Sequence, residues 1–271
     1  MRTSKPEGTG NYCAQDGFQP SNDCGGQGKI FVVGIGPGGE EDLTGRAFRV
    51  ISDADLLVGY TTYLKLVQEM SCYNGQEIYA TGMTREVERV QYAIEAAGRG
   101  LRAAVISSGD AGVYGMAGLV LEVMASSGQS TPLDIIPGIP AANTAAARLG
   151  APLMQDYATI SLSDLLTPLP DILARVEAAA RADFVIVFYN PRSKSRQEPW
   201  DQAISILKKH RRPGTPVGLV SNAGRAGESV NITDLEHIEM NEPDMLTTVI
   251  VGNSRTRVVN GRMITPRGYA L

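Results

Sequence analysis

The fold is indicated by one stretch of sequence, KIFVVGIGPGG at residues 29–39. Its first half is an apolar run, which is typical of a strand buried on both faces of a parallel sheet. Its second half is a glycine-rich turn, and residues 43–52 then have the spacing of an amphipathic helix, with Thr44 placed to cap it. A strand, a glycine turn and a helix in this order predict the first unit of an α/β fold.

The same alternation of apolar strands and amphipathic helices continues along the chain. It predicts strands at residues 54–59, 102–107, 133–136, 157–162, 183–189, 216–221 and 246–251, and helices at residues 84–99, 115–126, 141–149, 171–182 and 199–210. Residues 257–265 have the pattern of a hairpin that turns at Asn260-Gly261. We predict two α/β domains, residues 29–152 and 153–271, after a polar tail, residues 1–28, that is expected to be disordered.

Composition and charge exclude several classes of protein. The 271 residues include 25 basic and 29 acidic side chains, and the net charge of −4 argues against a general nucleic-acid-binding surface. The longest apolar run, Phe184 to Tyr189, is far shorter than the roughly 20 residues that cross a bilayer. No basic stretch followed by an apolar one indicates a secretory signal. We therefore expect a cytoplasmic protein that binds neither nucleic acid nor membrane.

Cysteine and histidine are too few and too scattered to indicate a metal site. The three cysteines, Cys13, Cys24 and Cys72, form no C-x-x-C pair. The two histidines, His210 and His237, lie in polar, charged stretches that are typical of a solvated surface. We therefore predict no metal ligand, and a histidine-centred catalytic triad has no support in the sequence.

The first glycine loop has two competing interpretations. Residues 34–39 match the G-x-G-x-x-G pattern of dinucleotide-binding loops, which would make the protein an NAD-dependent oxidoreductase. However, the acidic residues 40–42 follow directly, where they would repel a pyrophosphate, and Pro37 removes one N–H donor. The acidic residue expected at the end of the second strand is also missing. These features favour a tight structural turn.

Two more loops of small residues follow predicted strands. Residues 107–115, SSGDAGVYG, lie at the carboxyl end of a buried strand, where open α/β sheets bind ligands. Asp110 in this loop could accept a hydrogen bond from a ligand or face a cation, or it could only cap the following helix. Residues 136–143, IPGIPAAN, join the next strand to a helix, and this segment alone is interpreted as a rigid turn.

Taken together, the loops resemble those of the tetrapyrrole methylase family. In the first half the resemblance rests on Gly-Pro-Gly at residues 36–38, Ser-Gly-Asp at residues 108–110 and Pro-Gly-Ile-Pro-Ala at residues 137–141. In the second half, FYNPRS at residues 188–193, SNAGR at 221–225 and TTVIVGN at 247–253 are similar to one branch of the family. That branch methylates C17 of precorrin-3B or cobalt-factor III in cobalamin synthesis.

This resemblance implies an S-adenosylmethionine-dependent enzyme of two α/β domains, with the cofactor in the cleft between them and S-adenosylhomocysteine as a product. It also implies a homodimer and, in this branch, a contraction of the macrocycle coupled to methylation. The residues that it implies for the cofactor are Ser108, Gly109, Asp110, Val113, Pro140, Ala141, Asn190, Ala223 and Gly224.

The tetrapyrrole substrate is expected on the other side of the cleft. By the same resemblance, the first glycine loop lines this side with Gly36, Pro37 and Gly38. The substrate carries many carboxylates, so basic residues in loops at strand ends are candidates to bind it. Arg192 and Arg225 occupy such positions, although a solvated basic loop is an equally good interpretation.

Methyl transfer from a sulfonium needs little acid–base chemistry, because the methyl donor is already activated. The protein must chiefly align the acceptor carbon with the methyl group and exclude water, and alignment can contribute up to roughly 7–11 kcal/mol. We therefore assign no catalytic residue. Three alternatives stay open: a tetrapyrrole methylase that acts at another ring carbon, an NAD-dependent oxidoreductase, and a non-catalytic binding protein of the same fold.

Overall fold

The structure, a computed structural model, describes residues 28–128, 130–193 and 196–270. The predicted tail, residues 1–28, lies outside this part of the chain except for Gly28. The described residues form two five-stranded sheets covered by helices, which confirms the predicted α/β class. No helix among them is long and apolar enough to cross a membrane.

The first sheet contains five parallel strands. They are β1 (Lys29–Gly34), β2 (Leu56–Tyr60), β3 (Glu77–Thr81), β4 (Arg102–Ser107) and β5 (Leu133–Ile136). Their order is β3-β2-β4-β1-β5, so that β1 lies between two neighbours. Because both faces of β1 are covered, its residues from Ile30 onward are all buried, as its unbroken apolar run predicts.

Helices pack on both faces of this sheet. They are α1 (Gly45–Ser52), α2 (Thr61–Gln68), α3 (Glu86–Gly98) and α4 (Ala117–Ser127). The first two pack on the face of β1 that carries Phe31, and the other two on the face that carries Val32. Thr44 caps α1 as predicted, because its Oγ1 accepts a hydrogen bond from the N–H of Ala47 at 3.1 Å.

Helix α5 (Ala141–Leu149) follows the first sheet in the chain but packs on the second. Its apolar residues, among them Ala145 and Leu149, are buried against Val187 and Ile250 of that sheet. The short strand β6 (Gly150–Ala151) comes next. The predicted domain boundary between residues 152 and 153 lies just beyond these elements, and it stays a prediction.

The second sheet mixes parallel and antiparallel strands. Its strands are β7 (Tyr157–Ser161), β8 (Val185–Tyr189), β9 (Pro216–Ser221), β10 (Ser229–Asp234) and β11 (Thr247–Val251). Their order is β10-β9-β11-β8-β7, and only β7 and β8 are parallel to each other. Helices α6 (Leu169–Arg181) and α7 (Glu198–His210) cover one face of this sheet, while α5 covers the other.

A hairpin completes the described chain. Its strands, β12 (Arg257–Val259) and β13 (Arg262–Ile264), flank the predicted turn at Asn260-Gly261. Both turn residues have positive φ angles, of 50° and 73°, as a two-residue hairpin turn requires. Strand β13 also pairs in parallel with β6, a contact that the sequence did not predict.

Besides the short strand β6 and short 3₁₀ turns, the sequence did not predict the edge strands β3 and β10 and helix α2. The two strands read EIYAT and SVNITD, and most of their residues are exposed or only partly buried. An edge strand pairs on one side only and keeps polar side chains. In β3 and β10 the apolar run that identifies a central strand is therefore missing, whereas the other two edge strands, β5 and β7, could be predicted.

Candidate functional site

Three loops at the carboxyl ends of β1, β4 and β5 meet through their backbones. Gly36 and Gly109 form an antiparallel bridge in which each N–H donates to the other's carbonyl oxygen, at 3.0 and 2.8 Å. Gly138 from the third loop is so close that a Cβ there would lie 2.2 Å from the Gly109 oxygen and 2.6 Å from that of Gly34. The glycines of these loops therefore permit close backbone packing.

The geometry of the first loop argues against a dinucleotide site. The N–H of Gly36, which would donate to a phosphate, is already bonded to Gly109. After the loop the chain forms a 3₁₀ turn at Glu40–Asp42, and α1 begins only at Gly45. Three carboxylates therefore separate the loop from the helix N-terminus to which a pyrophosphate would bind.

Asp110 holds the second and third loops together. Its Oδ1 accepts hydrogen bonds from the N–H groups of Gly112 at 2.8 Å and Val113 at 3.1 Å, and its Oδ2 accepts from Gly138 at 3.1 Å. The interpretation of Asp110 as the cap of the following helix is wrong, since α4 begins only after Met116, without a side-chain cap. The carboxylate shapes the loop that carries it and fixes the neighbouring loop.

A cavity of about 180 Å³ opens beside these loops. It lies between loops of the first sheet and loops of the second. Residues from both halves of the chain line it. Those predicted for the cofactor are Ser108, Gly109, Asp110, Val113, Pro140, Ala141, Asn190 and Ala223, and those predicted for the substrate are Pro37 and Arg225. The structure therefore brings together most of the predicted residues, which the sequence separates by up to 188 positions.

The predicted glycines outside the lining lie directly behind it. Besides Gly36 in the bridge, Gly38 is packed so closely that a Cβ there would be 2.9 Å from Cγ of Arg225. A Cβ at Gly224 would be 2.8 Å from Cβ of Pro37. These glycines therefore let the first loop and the loop after β9 approach each other across the cleft.

Two basic residues after β8 have structural partners. Arg192 is not in the cavity lining, and its guanidinium donates to Oε1 of Gln197 at 2.8 Å. Arg196 donates to the carbonyl oxygen of Asn190 at 2.9 Å, so that it fixes the backbone of a cavity residue. Lys194, a third basic residue of this stretch, lies outside the described residues.

Arg225 reaches from the second half of the chain into the first. Its Nε donates to the carbonyl oxygen of Pro37 at 2.5 Å, and its Nη2 donates to Oγ of Ser108 at 2.7 Å. The guanidinium carbon also lies 5.9 Å from the ring centroid of Tyr63. Burial lowers the pKa of Arg225, and no carboxylate in the described part of the chain forms an ion pair with it. A partly buried cation of this kind can bind an anionic ligand.

Sequence reasoning did not assign several residues of the cavity. Tyr189 and Asn222 lie within the motifs of the resemblance, and Tyr114 lies in the second loop. Their position beside predicted site residues could therefore have indicated that they line the cavity. Thr247 and Thr248 also lie within a motif of the resemblance, whereas Tyr63, Met245 and Leu246 carried no such signal. Tyr189 is largely buried, which raises its pKa, and its hydroxyl accepts a hydrogen bond from the N–H of Ala142 at 2.9 Å.

Three non-glycine residues of the cavity have left-handed backbone conformations. Asn190 and Asn222, which directly follow β8 and β9, have φ angles of 53° and 51°, and Tyr114 has a φ angle of 52°. Asparagine tolerates this region, whereas a bulky side chain rarely occupies it. Strained backbone of this kind is concentrated at ligand sites. Both asparagines turn the chain where it borders the cavity.

Comparison with known proteins identifies the family. Residues 29–239 match the family described as Tetrapyrrole (Corrin/Porphyrin) Methylases, and the chain belongs to it. The fold agrees with this class. This result confirms the resemblance stated above.

Two relatives and one solved structure define the similarity further. The chain is 51% identical to the cobalt-factor III methyltransferase of Priestia megaterium, covering 90% of this chain and 45% of that protein. It is 48% identical to the probable cobalt-factor III C(17)-methyltransferase of Salmonella typhimurium, covering 89% of this chain and 100% of that protein. The crystal structure of the methyltransferase CobJ superposes with a TM-score of 0.82 at 36% identity, covering 88% of this chain and 100% of that one.

The Asp110 contacts change the expectation for the substitution Asp110→Ala. From the place of Asp110 in a loop, the sequence predicts that this substitution weakens cofactor binding and leaves the fold intact. Because alanine would leave three backbone N–H groups without their acceptor, we now expect the free energy of unfolding to fall by about 1–3 kcal/mol. We also expect weaker binding of S-adenosylhomocysteine, since the cavity walls would shift. Urea denaturation and titration calorimetry measure the two effects.

Asp110→Asn is the matched control, because it retains an acceptor oxygen. It should lose less stability than Asp110→Ala. If Asp110→Ala unfolds and binds as the wild type does, the bonds of this carboxylate do not shape the site.

Proposed function

We propose that the chain is an S-adenosylmethionine-dependent methyltransferase that methylates C17 of cobalt-factor III, with contraction of the macrocycle, in cobalamin biosynthesis. The observation that carries this proposal is the 48% identity to a probable cobalt-factor III C(17)-methyltransferase over that protein's whole length. The cleft supports this proposal, because residues from several separate motifs of the tetrapyrrole methylase family line one cavity. Precorrin-3B is the alternative acceptor.

The cavity has the mixed chemistry that the methyl donor requires. Members of this family use S-adenosylmethionine, which combines a heterocyclic base, a ribose, a zwitterionic amino acid and a sulfonium cation. The polar residues Asn190, Asn222 and Thr247 line the cavity together with the apolar residues Val113 and Leu246. Polar groups for the ribose and amino acid therefore lie beside apolar surface for the base.

We propose that the second and third loops hold the donor. Gly109 lines the cavity with a φ angle of 66°, a backbone conformation that glycine adopts without strain. The predicted cofactor residues that line the cavity would bind there, whereas Gly224 would act by packing behind it. The carboxylate of Asp110 keeps these loops in place and adds negative charge near the cavity, which suits a cationic sulfonium.

The chemistry at this site depends on alignment. When bound, S-adenosylmethionine supplies a methyl group by breaking its carbon–sulfur bond as the new bond to C17 forms, and S-adenosylhomocysteine leaves. The chain's own residues orient the two ligands and exclude water. No described residue needs to act as a nucleophile in such a transfer. The cavity wall formed by the tyrosines at positions 63, 114 and 189 contributes to the exclusion of water.

The substrate side of the cleft is proposed around the first glycine loop. Pro37 lines the cavity, Gly36 and Gly38 support it, and Arg225 crosses to this loop from the other half. Arg225 is the residue best placed to bind a carboxylate of the tetrapyrrole through its guanidinium group. Arg192 is a weaker candidate, since it lies outside the cavity lining and is bonded to Gln197.

Two further features follow from the family and are proposed here. We expect the chain to act as a homodimer, which sedimentation equilibrium of the purified protein measures. We also expect a cytoplasmic enzyme, in keeping with a biosynthetic role. Neither expectation is needed for the assignment of the cleft.

The proposed activity is tested by incubating the protein with methyl-labelled S-adenosylmethionine and either cobalt-factor III or precorrin-3B. We expect label in the tetrapyrrole with cobalt-factor III, at C17 of a contracted ring in the nuclear magnetic resonance spectrum of the product. Label at another carbon would indicate a different methylase of the family. No transfer to either acceptor would contradict the proposal, and binding of NAD without binding of S-adenosylhomocysteine would favour the oxidoreductase alternative.

Substitution of Arg225 tests the substrate side of the cleft. Because Arg225→Leu removes the partly buried cation, we expect the KM for the tetrapyrrole to rise by about ten- to a hundredfold. Arg225→Lys keeps the charge and should recover part of this loss. Steady-state kinetics with varied tetrapyrrole gives the KM, and thermal unfolding separates binding from stability. An unchanged KM in a folded Arg225→Leu variant would contradict the assignment.

A further inference from the structure

Tyr114 makes an unusual contact across the cleft. It lies in the loop between β4 and α4, and thus belongs to the first half of the chain. Its hydroxyl donates to the carbonyl oxygen of Thr159 at 3.0 Å and accepts from the N–H of Ser161 at 3.1 Å. Both partners belong to β7 of the second sheet. One side chain therefore connects the loop edge of the first sheet to a strand of the second.

The strand that Tyr114 contacts has an open edge. Within the described chain, β7 pairs with β8 on one side and is the last strand of its sheet. The N–H and carbonyl groups of Ser161 and Thr159 on the other side would otherwise lack a partner strand. The phenol of Tyr114 satisfies one group of each kind, in the place of a neighbouring strand. This pairing fixes the position of the hydroxyl in two directions.

The contact continues to a residue of the cavity. The Oγ of Ser161 accepts a hydrogen bond from Nδ2 of Asn190 at 3.0 Å. Ser161 therefore bonds Tyr114 through its backbone N–H and Asn190 through its side chain. Asn190 has the left-handed backbone described above, and it is one of the residues that line the cavity. The orientation of its side-chain amide thus depends on a strand that Tyr114 holds.

The conformation of Tyr114 supports a positioning role. A tyrosine with a φ angle of 52° is strained, and such strain persists only where surrounding contacts maintain it. Its ring centroid lies 5.3 Å from that of Tyr189, which is also in the cavity wall. The side chain is nevertheless 56% exposed, so burial of apolar surface explains little of its placement. The two hydroxyl bonds and the ring contact are what keep it across the cleft.

We propose that Tyr114 is a positioning residue, whose hydroxyl holds the two halves of the cleft at the separation that binds the methyl donor and, through Ser161, orients the amide of Asn190. This inference rests on the proposed function, since it assigns the donor to this cavity. Tyr114 acts through its neighbours, and no part of the inference requires its hydroxyl to take part in methyl transfer.

The test is the substitution Tyr114→Phe, which removes both hydroxyl bonds and retains the ring. Its matched control is Tyr269→Phe, because Tyr269 is 72% exposed and its hydroxyl bonds no residue of the described chain. Titration calorimetry with S-adenosylhomocysteine gives the Kd, and the labelled-methyl assay gives KM and kcat. We expect Tyr114→Phe to raise the Kd and the KM for the donor about tenfold, with little change in kcat at saturation. The control should match the wild type.

A second variant tests the link to Asn190. Ser161→Ala removes the hydroxyl that bonds the amide but leaves the N–H that bonds Tyr114. We expect it to raise the Kd for S-adenosylhomocysteine by about three- to tenfold. An unchanged Kd would contradict the part of the inference that runs through Asn190.

The outcomes for Tyr114→Phe distinguish the two proposals. If the wild type does not bind S-adenosylhomocysteine, the proposed function fails, and the inference fails with it. If the wild type binds and Tyr114→Phe binds equally well, the inference alone is contradicted. If Tyr114→Phe lowers the melting temperature but leaves the Kd unchanged, Tyr114 only stabilises the fold. If it lowers kcat but leaves the Kd unchanged, Tyr114 takes part in the chemical step. Both of these results would overturn the positioning role.

Discussion

The site depends on contacts between the backbones of the three glycine-containing loops. These loops touch at glycine residues, so no side chain separates their backbones. Gly36 and Gly109 bond to each other through both their N–H and carbonyl groups, and Gly138 packs against the carbonyl oxygens of Gly34 and Gly109. No larger residue fits at position 138 without a shift of the backbone. The junction sets where each loop leaves its strand, and thereby where the cavity opens.

Two side chains then cross the cleft in opposite directions. Arg225 extends from the second half to Pro37 and Ser108 in the first, while Tyr114 extends from the first half to β7 in the second. Each makes two hydrogen bonds with distant parts of the chain. Because these bonds border the cavity, the separation of the halves and the shape of the site are determined by the same contacts.

The sequence was informative wherever burial imposes a pattern. Central strands such as β1 and β4 are apolar on both faces, so their positions could be predicted, and Thr44 and Asn260-Gly261 have the residue types that a cap and a hairpin turn require. Although the edge strands β5 and β7 could also be predicted, the pattern is weaker at sheet edges, because half of the backbone and much of the side-chain surface is exposed there. For this reason β3 and β10 were missed.

For the site, the motifs predicted which loops meet but not how they meet. The hydrogen bonds of Asp110 to Gly138, and of Tyr114 to β7, join residues 28 or more positions apart. Such bonds depend on the tertiary placement of each loop, which local spacing does not encode. The same holds for residues 245–248, which reach the cavity because β11 runs antiparallel and begins at the edge where its neighbours end.

The most direct test of this account is the affinity of Gly138→Ala for S-adenosylhomocysteine, measured by titration calorimetry beside Gly118→Ala. A methyl group at position 138 would meet two backbone oxygens, whereas one at position 118, in α4, would have no atom within 4 Å. We predict that Gly138→Ala binds about tenfold more weakly or worse, since overpacking costs about 1–3 kcal/mol, and that Gly118→Ala binds as the wild type does. Wild-type affinity in Gly138→Ala would contradict the claim that the junction of the three loops forms the donor site.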